Sequence, residues 1–349
     1  MNEQVRLLID TLERTHSLSI EEYKYLVENI SDQAAAYAAE KAVALRKSVY
    51  GNSVFIRGLI EVGNVCRNDC YYCGIRKSNK NCERYRLTED QILECCREGY
   101  PLGFRTFVMQ GGEDGSFASD KVCNIVKRIK SEFRDCAVTL SLGEYSKEDY
   151  AAMFSAGADR YLLRHETANK EHYEKLHPEN MSFDNRMRCL HDLKQIGFQV
   201  GCGFMVGSPW QTSQTIAEDL KFIEMFSPEM CGIGPYLPHK DTPFFDKPAG
   251  SVDMTVYLLS LIRIIKPTVL LPSTTALASI EKDGRERGIL AGANVVMPNL
   301  SPFSERKKYA LYDGKAYSGS ESAQSLIELK EQMARIGYEV VVARGDVSK

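Results

Sequence analysis

The 349-residue chain has no apolar run of about 18 residues, the length that a membrane-spanning helix needs. Its first ten residues, MNEQVRLLID, carry no signal-peptide pattern. Basic residues are not in excess either: the net charge is −3 at pH 7, so nothing argues for a nucleic-acid partner. Cysteine is missing after Cys231. These absences set the expectation of a soluble, cytoplasmic protein with no membrane and no nucleic-acid partner. Hydrophobic residues make up 44% and charged residues 26%, a balance that fills a large core.

Before Cys231 cysteine is abundant, with eleven in all. In a reducing compartment an odd, high count means thiols or metal ligands rather than a disulfide framework. Cys95, Cys96, Cys123, Cys136, Cys189, Cys202 and Cys231 are scattered through apolar stretches, where cysteine serves as a small buried hydrophobe. Only Cys66, Cys70 and Cys73 cluster, in CRNDCYYCG, with Cys82 nine residues further on.

The first fifty residues are helical in pattern: Ser19 to Glu22 fits a capping box, and Ala34 to Arg46 is alanine-rich. We expect an N-terminal helical cap over residues 1–52. From residue 53 a repeat begins. SVFIRGLIEVGN, TFVMQG, AVTLSLG, RYLLRHE, QVGCGFMVG, MCGIGPY, TVLLPSTTA and ANVVMPN are short, apolar or β-branched, and bounded by glycine, proline or polar residues. Between them lie helical stretches, several with N-cap residues such as Thr88 and Ser146. Eight strand-and-helix units predict an α/β chain folded as a (β/α)8 TIM-type barrel over residues 53–349, ending in a helical segment. Counting repeats leaves a doubly wound open sheet as the alternative.

Chemistry in such barrels sits at the carboxyl ends of the strands. There the sequence places the cysteine loop, Gln110-Gly-Gly-Glu113-Asp114, Ser141 and Glu144, Arg164-His165-Glu166-Thr167, and Ser273-Thr274-Thr275. Cys82 would complete a four-cysteine zinc set, but structural zinc sites pair two short knuckles, whereas here three thiolates share one loop. A [4Fe–4S] cube takes one ligand per iron. Three thiolates leave one iron open to a small molecule bearing an amine and a carboxylate, such as the methionine part of S-adenosylmethionine (SAM).

Cys-x3-Cys-x2-Cys with Tyr72 before the last cysteine resembles the signature of radical SAM enzymes. Gly111-Gly112-Glu113, one strand later, resembles the turn that binds the SAM amino group in that superfamily. TLSLGEY, GADRYLLRHETAN, FMVGSPWQT, GIGPYLPHKDTP, PSTTA and GANVVMPN extend the resemblance, to about Tyr312, to the radical SAM maturases of [FeFe]-hydrogenase. The resemblance implies a (β/α)8 barrel, one [4Fe–4S] cluster held by Cys66, Cys70 and Cys73, and SAM as cofactor. It implies that Tyr72 lies against the adenine and that Gly112, Glu113, Ser141, Glu166, Arg186 and the backbone near Ile233 hold SAM. Arg164, Thr274 and Thr275 match positions facing the substrate, with Thr139 and Met205 lining the interior.

Simpler roles stand beside these. Arg164 and Glu166 alternate along a strand and also suit a structural ion pair, and Arg186 at a helix start suits a solvated surface position. Thr274 and Thr275 suit ordinary strand positions, and Met205 suits the core. His165 has no assigned role beyond satisfying a buried hydrogen bond.

Many relatives carry three further cysteines near the C-terminus for an auxiliary cluster. YDGKAYSGSESAQSLIELKEQM has none, so a second cluster is not expected and biotin synthase fits poorly. The activity implied is reductive cleavage of SAM to a 5′-deoxyadenosyl radical. It would act on a small cysteine-bearing iron carbonyl/cyanide species, with other hydrogenase maturases and a ferredoxin or flavodoxin electron donor as partners. Methylornithine synthase, acting on an amino-acid-derived substrate, and a non-catalytic Fe–S scaffold are the alternatives.

Overall fold

The computed structural model describes residues 1–316 and 321–348. Its strands are β1 (Ser53–Ile56), β2 (Gly58–Gly63), β3 (Thr106–Gly111), β4 (Ala137–Ser141), β5 (Arg160–Leu162), β6 (Gln199–Cys202), β7 (Met205–Val206), β8 (Met230–Cys231), β9 (Gly234–Pro235), β10 (Val295–Val296) and β11 (Glu339–Val341). β2, β3, β4, β5, β6 and β8 form one parallel sheet in that order, and β7 pairs with β9. The ring then closes. Met230 bridges Leu270, Pro272 bridges Val295, and β10 pairs with β1 through Phe55–Val295 and Ile56–Val296. Counting β1–β2, β6–β7 and β8–β9 as single interrupted staves, the chain is an α/β barrel of eight parallel staves at the positions the sequence repeat indicates. An open doubly wound sheet is excluded by that closure.

Local chemistry starts the outer helices where expected. Thr88 and Gln91 form a reciprocal capping box at Glu89–Gly99, and Ser146 accepts the Asp149 N–H at Lys147–Ser155. Every residue of β2 is buried, as befits a parallel strand covered on both faces. Gly203, at φ +151°, marks the break between β6 and β7; a Cβ there would lie 2.0 Å from the Gly232 carbonyl. Only glycine lets the neighbouring staves approach so closely.

The N-terminal helices Glu3–Thr15, Ile20–Glu28 and Asp32–Tyr50 pack on the outer helices Ser213–Phe226 and Val252–Ile265. Their apolar side chains belong to the same continuous core as the barrel. Polar ties fix them: the Tyr23 hydroxyl donates to Glu224 at 2.8 Å, and His16 Nδ1 meets the Ile264 carbonyl at 2.7 Å.

Two segments depart from the sequence expectation. RYLLRHE is strand only over Arg160–Leu162, and TVLLPSTTA contributes only the bridges at Leu270 and Pro272. The C-terminal segment is more than helix: after Leu326–Arg335 the chain forms β11, parallel to β1 with Val54 opposite Val340. This added strand lies at the amino end of the staves, opposite the cysteine loop.

Candidate active site

The cysteine loop leaves β2 and is pinned on several sides. Arg67 N–H donates to the Glu113 carbonyl at 2.8 Å, Tyr71 N–H to Leu176 at 3.1 Å, and Gly74 N–H to Leu311 at 2.8 Å. Gly112 allows this approach, because a Cβ there would lie 2.3 Å from the Val65 carbonyl and 2.8 Å from Cys66 Cβ. Cys66, Cys70 and Cys73 are part-buried and line one cavity of about 350 Å³ at the carboxyl ends of the staves. Burial, and then the other two cysteines, push the Cys70 thiol well above its ordinary pKa; burial and Cys66 push Cys73 up to about 12. Three thiolates held this way need a compensating cation. Among the described residues no three His, Cys, Asp or Glu side chains close on a single ion. Three cysteine sulfurs on one loop, lining one cavity, are the donor set that an iron–sulfur cluster takes. Cys82 does not line the cavity; its sulfur takes a hydrogen bond from Asn64 at 3.4 Å.

Next to the cysteines stand Glu113, Ser141, Glu166 and Arg186, all lining the same cavity. Arg186 is buried rather than solvated. Its Nε donates to Glu144 at 2.6 Å, its Nη1 donates to the Arg164 carbonyl at 2.9 Å, and its Nη2 lies 3.7 Å from Glu113. Glu113 also takes Arg67 at 3.0 Å. Tyr72 is steadied by His177: Nδ1–H of His177 faces the Tyr173 carbonyl at 2.8 Å, which leaves Nε2 to accept the Tyr72 hydroxyl at 3.0 Å. Burial pulls the His177 pKa down to about 3, consistent with that neutral tautomer. Ile233 is fully buried and does not line the cavity; its neighbours Gly234 and Pro235 do.

The floor holds the residues matched to substrate. Arg164 and Thr274 line both the main cavity and a second one of about 120 Å³ beneath it, which also meets Thr139 and Arg57. The Thr139 and Thr274 hydroxyls, Arg164 Nε and Nη2, and Arg57 Nε and Nη2 are buried without hydrogen-bond partners. Thr275 lines the main cavity, but its hydroxyl donates to Glu321 at 2.7 Å. Met205 is a wall of the main cavity.

Arg164 and Glu166 do not alternate along a strand, since β5 stops at Leu162 and Glu166 has φ +65°. They meet at 3.2 Å, yet neither Arg164 Nη2 nor Glu166 Oε2 makes an aligned hydrogen bond. The turn carrying them is braced by His165. Its Nδ1 accepts the Gly203 N–H at 3.2 Å, so Nε2 carries the proton and donates to Asp219 at 3.2 Å. Asp219 also takes the Ala168 N–H at 2.6 Å. Burial lowers the His165 pKa to about 3, so the imidazole is a neutral brace.

Sequence reasoning missed one wall. Tyr309, Leu311, Tyr312 and Lys315, from the segment that follows β10, also line the cavity. Lys315 Nζ donates to the fully buried Glu61, which also takes Asn299 at 2.8 Å, and the Tyr309 hydroxyl accepts from Gln110 at 3.3 Å. A lone carboxylate inside the apolar strand GLIEVG was the one available signal.

Residues 60–223 match the radical SAM superfamily. The chain is 46% identical over 271 residues to the [FeFe] hydrogenase maturase subunit HydE of Thermotoga maritima, covering 78% of this chain and 77% of that one. The chain belongs to the HydE family of radical SAM enzymes. More distant likeness links it to the 3-methylornithine synthase of Methanosarcina barkeri, 29% identical over 85% of this chain and 83% of that one. Among solved structures, a methylornithine synthase superposes with TM-score 0.83 at 24% identity, covering 96% of this chain and 97% of that one. The hydrogenase maturase HydG superposes with TM-score 0.80 at 20% identity, covering 96% and 75%. These two likenesses concern the fold alone. Membership of the HydE family implies a [4Fe–4S] cluster and SAM as cofactors. No helix among the described residues is long and apolar enough to cross a membrane.

Proposed function

We propose that this enzyme carries a single [4Fe–4S] cluster on Cys66, Cys70 and Cys73. It cleaves SAM reductively and acts on a small cysteine-bearing iron carbonyl/cyanide species during assembly of the [FeFe]-hydrogenase diiron site. One observation supports the reading above the others. The cysteines and the candidate SAM residues share one cavity that is also lined by buried donors without partners, Arg164 and Thr274. Such groups are costly unless a ligand meets them. A cluster held by Cys66, Cys70 and Cys73 would supply the single electron that reductive cleavage of SAM requires.

The chain's own residues bind, orient and enclose. Tyr72, held by His177, offers a fixed ring face for the adenine. Glu113 and Glu166 are placed to take the amino group and ribose, and Arg186 to hold a carboxylate, with Ser141 beside them. Arg164 has the planar fork that grips a carboxylate with two hydrogen bonds. Tyr309, Leu311, Tyr312 and Lys315 add a wall to the cavity, and enclosure suits radical chemistry because a radical attacks the first bond it meets. Other hydrogenase maturases would supply the substrate and receive the product.

Anaerobic reconstitution should give about four iron and four sulfide per chain. A SAM-cleavage assay and maturation of a hydrogenase should follow. About six to eight iron with a second spectroscopic signal would refute the single cluster. Turnover of L-lysine instead of the iron species would move the enzyme to the methylornithine synthase class.

A further inference from the structure

The turn between the helices Lys170–Leu176 and Phe183–Ile196 packs against the cysteine loop. Between Pro178 and Phe183 it reads Glu-Asn-Met-Ser. Glu179, Asn180 and Ser182 are exposed, whereas the single apolar residue, Met181, is half-buried. Its Sδ lies 3.7 Å from Cys70 Sγ. The turn is fixed from both ends. The Tyr71 N–H donates to the Leu176 carbonyl at 3.1 Å, the Tyr72 hydroxyl donates to His177 at 3.0 Å, and the Met181 N–H donates to the Pro178 carbonyl at 2.9 Å. On the other side Ser182 caps the next helix by accepting the Asn185 N–H at 3.2 Å. Met181 is not among the residues lining the cavity, so it meets Cys70 from outside the space shared by the candidate SAM residues.

The three cysteine sulfurs are not treated alike. Cys66 Sγ accepts the Asn68 N–H at 3.4 Å. Burial and then Cys66 push the Cys73 thiol up to about 12, against a hydrogen bond from the Ile75 backbone that stabilises its charged form. Cys70 is different: among the described residues no N–H donates to its sulfur, and its contact is the Met181 thioether. A thioether has no proton to give and accepts one only weakly. Being apolar, it keeps water from the sulfur and offers negative charge there no hydrogen bond. Reduction adds negative charge to an iron–sulfur cluster, and hydrogen bonds to the ligand sulfurs and exposure to solvent set how readily that charge is accepted. Cys66 and Cys73 are supplied with such donors, and Cys70 is denied one.

We propose that Met181 holds the reduction potential of the cluster low by keeping the Cys70 sulfur without a proton donor. The proposal rests on the reading above in which Cys66, Cys70 and Cys73 hold one [4Fe–4S] cluster. A sulfonium accepts an electron reluctantly, so a cluster that reduces it must be a strong reductant. Each further hydrogen bond to a ligand sulfur would make it a weaker one. Met181 acts through Cys70 and touches neither SAM nor substrate, which makes it a positioning residue. In the redox step that it tunes, one electron passes from an external reductant to the cluster, with no bond made or broken.

The test is a dithionite titration of the reconstituted protein without SAM, followed by electron paramagnetic resonance, with iron content measured on the same samples. Met181→Gln matches methionine in length and brings an N–H to Cys70, whereas Met181→Leu stays apolar and brings none. Met181→Ser is a second polar variant, which admits water to the same sulfur. We expect Met181→Gln to favour the reduced cluster about tenfold more than the wild type does, an upward shift of about 59 mV for one electron. Met181→Ser should shift the same way, and Met181→Leu should stay within about twofold of the wild type. A normal cluster signal with an unchanged potential in the polar variants would overturn the proposal. So would equal shifts in Met181→Gln and Met181→Leu, which would trace the potential to packing rather than to a proton donor. Absence of a [4Fe–4S] signal from the wild type would overturn the reading of the cysteine loop as well, and so is distinguishable from failure of the proposal alone.

Discussion

Two arginines four residues apart, Arg160 and Arg164, lie at opposite ends of one barrel stave and are treated in opposite ways. Arg160 is fully buried, and its guanidinium meets Gln199 at 3.0 Å, Thr106 at 3.0 Å, the carbonyls of Arg344 and Gly345 at 3.1 and 3.2 Å, and Asp346 at 2.6 Å. Arg164 has two nitrogens buried without a hydrogen bond and one loose approach to Glu166. At the amino end of the barrel the C-terminal segment satisfies the charge and seals the staves. At the carboxyl end donors are left in a cavity. The first arrangement contributes stability; the second holds binding capacity for a ligand, the division expected of barrel enzymes.

The largest effect should come from the carboxyl end. Cys70→Ala should abolish both cluster loading and SAM cleavage, whereas Cys82→Ala should leave both near wild type. Equal iron loss in the two variants would revive a four-cysteine site. At the amino end, Arg160→Met should lower unfolding stability by about 3 kcal/mol, because carbonyls and a carboxylate lose their donor. Denaturant melts would show it. The iron content of the folded protein should not change, and if it does the two ends are not separable.

A smaller change tests the brace on Tyr72. Tyr72→Phe should weaken SAM binding by about 1 kcal/mol, or roughly fivefold, through loss of its hydrogen bond to His177. His177→Phe should cost a similar amount alone and little more on top of Tyr72→Phe. Fully additive losses would show that His177 does not act through that hydroxyl. The smallest effect concerns pH. Burial opposes ionisation of Asp346, but Arg160 and Arg344 hold its pKa below the ordinary 3.8. A depressed carboxylate stabilises above the unfolded value, so this contribution is complete near neutrality and fades as pH falls through 3.8 and below. Asp346→Asn should remove that acid-dependent slope from the stability curve without altering SAM binding.

The same contrast explains what the sequence discloses. The cysteine triplet and the Gly-Gly-Glu turn are legible because their chemistry is local: spacing within eight residues, and a glycine that no side chain can replace at position 112. The eight staves are legible because each is a short apolar segment between helical stretches. What escapes is held together by contacts across the chain. Lys315 reaches Glu61 and the Tyr309 hydroxyl reaches Gln110, and neither partner is marked by spacing. Arg160 reads as an ordinary strand residue until the C-terminal segment folds back onto it. The even spacing of Arg164 and Glu166 suggested one strand face, whereas a left-handed residue and a buried histidine set their directions.

Arg164→Lys addresses the central claim most directly, because it keeps the charge and removes only the planar fork. SAM binding, thermal stability and hydrogenase maturation would be measured side by side on the reconstituted variant. If Arg164 is held for substrate, SAM affinity stays within about twofold and the melting curve does not move. Maturation then falls at least about tenfold, with a low rate of SAM cleavage persisting. If SAM binding or stability collapses together with maturation, Arg164 belongs to the cofactor site or to a structural pair with Glu166, and the contrast between the two ends of the stave fails.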